Sequence, residues 1–201
     1  MSAVAATVGS QVLTIADVDA RERAVRAGPL RHALPAPGTG ESRQLRRWLT
    51  QVLVAETVVA SASAGLDPAA APAEEELLPD MVACMELGSV AAATLADPVG
   101  RAVFVAVTAG VEVTDAAVVA YHARNPLRFS ASGDSVGGWR RAPAAAALED
   151  VCAEITAHLL AAGRRRAYRR WLDARTAELA TLAEGFEHPG DPRQPDNTHR
   201  H

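Results

Sequence analysis

Lysine is absent: all 20 basic residues of the 201-residue chain are arginine. Aromatics make up only 4% of a sequence that is 49% hydrophobic. The core must therefore be built from Ala, Val and Leu, small side chains that let helices approach closely but return less burial per residue. The two cysteines, Cys84 and Cys152, rule out a disulfide framework and stand in apolar helical contexts, where free thiols are expected. Cys-x-x-Cys, Gly-x-Ser-x-Gly and a phosphate-binding Gly-rich loop are all missing; Gly133, Gly137 and Gly138 lack the strand-then-helix setting of such a loop. No apolar run is long enough to span a bilayer. The most apolar window, Val99–Val113, carries Arg101 and Glu112 and is too short. The N-terminus has no basic region followed by an apolar stretch, so the sequence predicts a cytoplasmic protein without membrane attachment. A formal charge of −4 gives no footprint for nucleic acid.

The length suits one globular domain with a sizeable core, and the punctuation predicts a mainly α fold. Val4–Leu13 reads as a hairpin turning at Gly9-Ser10. Thr14 then caps a helix to about Ala27, with Asp17 completing a capping box. Beyond a Pro/Gly loop at Ala33–Gly40, a long amphipathic helix is expected from Glu41 to Ala64. Its apolar stripe is Leu45, Trp48, Leu49, Val52 and Val59, and Glu56 falls on the same stripe, either as a buried carboxylate with an arginine partner or as a side chain that reaches to the edge. Further helices are predicted over Pro72–Leu87, Pro98–Ala109 and Asp115–Arg124, the last stopped by Asn125-Pro126. A Gly/Ser-rich loop at Ser130–Pro143 leads to a final long helix, Ala144–Ala183, with a possible bend at Gly163. The helical domain spans residues 1–184, and 185–201 form a Pro/His-rich tail. No internal repeat or sustained heptad is present.

Charge is segregated. Between Arg47 and Arg101 there is no basic residue, while Glu74, Glu75, Glu76, Asp80 and Glu86 all fall there. Arg164, Arg165, Arg166, Arg169, Arg170 and Arg175 form the opposite pole. The two segments either face each other or water, or the arginines hold an anionic ligand.

Four segments carry a family likeness. Val4–Thr14 followed by Ile15-Ala16-Asp17-Val18-Asp19 resembles the N-terminal hairpin and first helix of SurA-type and PrsA-type parvulin foldases, a peptidyl-prolyl isomerase family. Leu45–Leu66 is similar to the second helix of that family. Val113–Phe129, with Tyr121, Asn125 and Phe129, resembles the segment leading into its isomerase domain, His122 standing where a second Tyr recurs. Leu148–Ala183 resembles its closing helix. The isomerase domain has no counterpart: residues 130–147 are far too few for a sheet with covering helices. The resemblance thus implies a SurA-like helical bundle with a small N-terminal hairpin, lacking the isomerase and its activity.

Candidate chemistry is sparse. Tyr121 and His122 lie beside a helix end and a Pro turn, where His122 is a candidate acid/base group or a structural histidine. Trp139, beside Arg140 and Arg141, is a candidate wall for an apolar ligand or equally a plug for the gap left by the missing domain; Arg165 and Arg169 are separate candidates for binding an anion. The tail holds His188, Asp191, Asp196, His199 and His201, donor types that suit a divalent metal, stiffened by Pro189, Pro192 and Pro195. A disordered tail is the plain alternative.

Two functions fit these features. One is a foldase-derived binding protein that cradles a peptide or partner protein. The other is a small enzyme of bacterial secondary metabolism acting on an aromatic or polyketide-like ligand, with the tail supplying metal ligands or acid/base groups. They separate experimentally. If the tail completes a site, deleting residues 187–201 leaves a folded protein that loses ligand binding or stoichiometric metal. Full retention of both removes the tail from the mechanism.

Overall fold

The computed structural model describes residues 3–29, 31–129 and 146–187, together with the backbone of two short strands at 135–136 and 139–140. Strand β1 (Val4–Val8) turns at Gly9, φ +55°, into β2 (Gln11–Thr14). The β1 side chains Ala5, Ala6 and Val8 are buried. The third strand of this antiparallel sheet is β5 (Ala180–Leu182), from the far end of the chain, giving the order β2-β1-β5. Ala6 opposes Leu182 and Val8 opposes Ala180. Two flanking bonds, Gly9 N to Leu179 O at 2.8 Å and Ala183 N to Ala5 O at 2.9 Å, extend the ladder at both ends. Strands β3 (Ser135–Val136) and β4 (Trp139–Arg140) form a separate short hairpin.

The chain is mainly α, with eight helices among the described residues: α1 (Ile15–Ala27), α2 (Gly40–Ser61), α3 (Glu74–Leu77), α4 (Met81–Leu87), α5 (Ser89–Thr94), α6 (Pro98–Val107), α7 (Asp115–Arg124) and α8 (Leu148–Leu179). Thr14 caps α1 as expected. Its amide donates to Asp17 Oδ2 at 2.8 Å, and Asp17 N donates back to the Thr14 hydroxyl at 3.3 Å. The predicted arginine partner of Glu56 is Arg21, whose two terminal nitrogens meet both carboxylate oxygens. With Arg46 bonded to Asp19 and Glu22, this fixes α1 on α2.

The main core gathers Ala6 and Val8 of the sheet, Val54, Ala55, Val58 and Val59 of α2, Leu87, Ala91 and Leu95 near α4 and α5, Val103 and Phe104 of α6, and Tyr168 and Leu172 of α8. Tyr168 is fully buried between Phe104 and Trp171, ring centroids 5.1 and 5.6 Å away. The Thr94 hydroxyl donates to Ala91 O at 2.7 Å, so its oxygen is left to accept from the Tyr168 hydroxyl at 2.8 Å. That bond satisfies the one polar atom of the largest core side chain. A second cluster joins Val118 of α7 to Val151 and Ile155 of α8.

Four expectations are corrected. The final helix stops at Leu179 rather than Ala183, because pairing with β1 outweighs the helix propensity of Ala180–Ala183. The helix expected over Pro72–Leu87 is two, α3 and α4, since Pro79 forces Leu78 out of helical geometry (φ −126°, ψ 66°). Helix α5 was not foreseen. Gly163 makes no break in α8; a Cβ there would come within 3.1 Å of Val111 Cγ1, so the residue marks a close approach. Gly100 is stricter still, because a Cβ would sit 1.8 Å from Thr94 O, and α6 crosses the end of α5 only without one.

Burial pushes the Tyr168 hydroxyl up to about 12, opposed by its bond to Thr94. The unfolded chain releases this proton at its ordinary value of 10.0. Stability is therefore complete below that value and lost as pH rises from about 10 to 12, by roughly 2–3 kcal/mol. Tyr168→Phe is expected to cost about 1 kcal/mol at neutral pH and to flatten the alkaline loss, measurable by urea unfolding at pH 7 and at pH 11. An unchanged alkaline slope would refute this assignment.

Candidate functional site

A groove of about 480 Å3 lies between α2 and α8, floored by the α4–α5 junction. Its apolar floor is Ala55, Leu87, Ala91 and Leu172, and its rim is polar: Gln51, Ser89, Arg169, Asp173 and Thr176. The junction takes this shape because Gly88 adopts φ +88°, a backbone state that other residues avoid. The Arg169 guanidinium lies within 3.9 Å of where a Gly88 Cβ would be. The chain leaving β5 is tied to α2: Arg47 Nε donates to Gly185 O at 3.2 Å, and Gln51, which lines the groove, donates from Nε2 to Phe186 O at 3.4 Å.

The two arginines singled out in the sequence play different parts. Arg165 is 6% exposed; it pairs with Glu86 at 2.9 Å and donates to Leu77 O at 3.3 Å. The arginine-rich and acidic segments therefore do face each other at this point. Arg169 is exposed on the groove rim, and its nearest carboxylate, Asp173, is 3.9 Å away. At that distance its charge remains available to a ligand.

Tyr121 and His122 sit side by side on α7 but reach different partners. His122 Nε2 lies 2.9 Å from Ala146 O. A carbonyl only accepts, so this nitrogen carries the proton and the ring stitches α7 to the approach of α8. The Tyr121 hydroxyl lies 3.1 Å from Nε2 of His158 on α8, within a cluster completed by Phe129. His158 is half-buried and packed 5.3 Å from the Tyr121 ring. Burial first, then the charge of Arg128, with Arg165 and Arg166 adding and Glu86 opposing, holds its imidazole below the usual 6.5. A neutral imidazole touching a phenol is an arrangement able to pass a proton.

The side chain of Trp139 and all five metal candidates, His188, Asp191, Asp196, His199 and His201, lie outside the described residues. Among the described residues, no three His, Cys, Asp or Glu side chains group to hold a metal ion, and no helix is long and apolar enough to cross a membrane. The groove itself escaped the sequence reading. Its walls come from segments far apart in the chain, and only the Gly88 break hinted at a special backbone.

The model of a family of unknown function, DUF7158, matches residues 4–41, which cover β1, β2, α1 and the connection to α2. No curated protein and no solved structure matches the chain.

The lowered His158 value has a sign that can be tested. The folded state prefers the neutral ring, so the stability it adds is present above 6.5 and is lost as pH falls through the lower folded value. Its NMR titration midpoint is expected below 6.5 in the native protein, and His158→Leu is expected to flatten that part of the acid limb of unfolding. A midpoint at or above the ordinary value would contradict the packing described.

Proposed function

We propose that this chain is a helical binding protein, derived from a foldase body and without prolyl isomerase activity, that cradles an extended peptide segment in the groove between α2 and α8. The observation that carries the reading is the groove itself: about 480 Å3, apolar along its floor, with both donors and acceptors on its rim. An extended peptide presents the complementary series, apolar side chains on one side and backbone N–H and C=O groups along its edges. Arg169, exposed and only distantly paired, favours a peptide that carries a carboxylate. The likeness of residues 4–129 and 148–183 to foldase helices points the same way, since such a body handles polypeptide.

The enzymatic reading, a small tailoring enzyme for an aromatic or polyketide-like substrate, draws support from the Tyr121–His158 pair. There, however, the rings of Tyr121, Phe129 and His158 pack on one another and the two polar atoms are spent on each other. The groove, in contrast, offers space and an exposed guanidinium, that of Arg169, on its rim.

Ala177 lies exposed on the groove lining, so Ala177→Trp fills the groove without disturbing the core. A fluorescein-labelled peptide alternating Val and Asp is expected to bind the wild type, to be lost in Ala177→Trp, and to weaken about tenfold in Arg169→Gln, a change of about 1.4 kcal/mol. Equal anisotropy titrations for all three proteins would remove the groove from function.

A further inference from the structure

The groove uses the inner side of α4, where Leu87 is buried; Ala83 is buried on the same side. The outer side is occupied by Met81, Val82 and Met85, exposed by 73%, 62% and 74%. Met81 and Met85 are four residues apart and Val82 and Met85 three, so all three share one helix face. Single exposed apolar residues are ordinary. Three on one face of a seven-residue helix, two of them methionines, form a contiguous surface of the kind that adapts to apolar partners.

The surroundings of this face are acidic. Glu74, Glu75 and Glu76 form α3, and Asp80 caps α4. Glu76 and Asp80 accept backbone bonds from Ala73 and Ala83 at 3.0 and 2.8 Å and keep their charge. Among the described residues, Glu74 and Glu75 pair with no cation. Glu86 is the acidic residue of this stretch that spends itself on an internal arginine, Arg165. No basic residue occurs in the sequence between Arg47 and Arg101, and two arginines that reach this stretch from elsewhere donate to groups other than Glu74 and Glu75: Arg101 to Pro72 O, and Arg165 to Glu86 and Leu77 O.

We propose that the outer face of α4 is a docking surface for a basic amphipathic helix of a partner protein. The apolar residues of that helix, spaced three and four apart, would meet Met81, Val82 and Met85, and its flanking Lys and Arg would face Glu74, Glu75, Glu76 and Asp80. Charge selects this occupant over the others. A second copy meeting the same patch across a two-fold axis brings carboxylates against carboxylates, and an anionic lipid surface repels the patch. The inference is independent of the peptide groove.

The test uses the full chain and a labelled helical probe of Leu and Lys of about 18 residues, five turns, beside its Leu and Glu counterpart. The Leu/Lys probe is expected to bind with an affinity that falls as salt rises, and the Leu/Glu probe is not. M81Q combined with M85Q, and separately E74Q combined with E75Q, are each expected to weaken binding about tenfold or more. Circular dichroism and Tm should stay unchanged, because the altered atoms are outside the core. Ala177→Trp is expected to leave the affinity unchanged. The proposal is overturned if neither probe binds, if both bind equally, if the methionine variants bind as wild type, or if Ala177→Trp abolishes binding. Sedimentation showing a dimer that M81Q/M85Q dissolves would make a second copy the occupant and overturn it as well.

Discussion

The pairing of β1 with β5 is the contact on which the rest of this structure rests. Three residues at the end of α8 join a strand laid down at the start of the chain, so a single ladder closes the path of the polypeptide. A long-range contact of this kind is costly in chain entropy, since the intervening residues must already be ordered when it forms. Burial repays it: Ala5, Ala6 and Val8 are buried, and Ala6 and Val8 join the main core. The ladder also anchors the C-terminal end of α8, a helix of 32 residues, or about 48 Å. Held at that end by the sheet, α8 must run across α2, and the space left beside the crossing is the groove.

An aromatic-poor core needs some means of filling volume. Here the few rings are concentrated. Phe104, Tyr168 and Trp171 form one group in the main core, and Tyr121, Phe129 and His158 form another where α7 meets α8. Elsewhere Ala and Val permit approach so close that Gly100 becomes a steric requirement and Gly163 a tight contact. Close approach and concentrated rings are complementary answers to the same composition.

What could be read in advance follows from the range of the forces involved. Helix α7 matches its expected bounds, Asp115 to Arg124, because Thr114 and Asn125-Pro126 act locally at its two ends. The hairpin and the Thr14 capping box are equally local. Strand β5 was hidden: Ala180-Thr181-Leu182 has no strand signature of its own, and the edge of β1 imposes its extended form. The split between α3 and α4 was written in Pro79 and was overrun by the apolar pattern on both sides. Glu56 announced its need for a cation, but nothing in the spacing named Arg21. Tyr121 was found and its partner His158 was not, since 37 residues separate them and only the packing of α7 on α8 brings them together.

The pair of buried Arg165 with half-buried Glu86 is best understood as a positioning device. Pairs of this sort contribute little net stability once desolvation is counted, and their better-attested role is to fix one arrangement among several. Helix α4 is too short to hold its own orientation, having seven residues and breaks at Pro79 and Gly88. Rotating it by one residue, about 100°, would turn methionine inward and strand Arg165 among apolar groups without its carboxylate. The bond from Arg165 to Leu77 O adds a constraint on the segment before α4. With the rotation fixed, Leu87 and Gly88 face the groove while Met81, Val82 and Met85 face outward. One ion pair thereby sets two surfaces of opposite character on a single short helix, and neither surface can be rebuilt without the other.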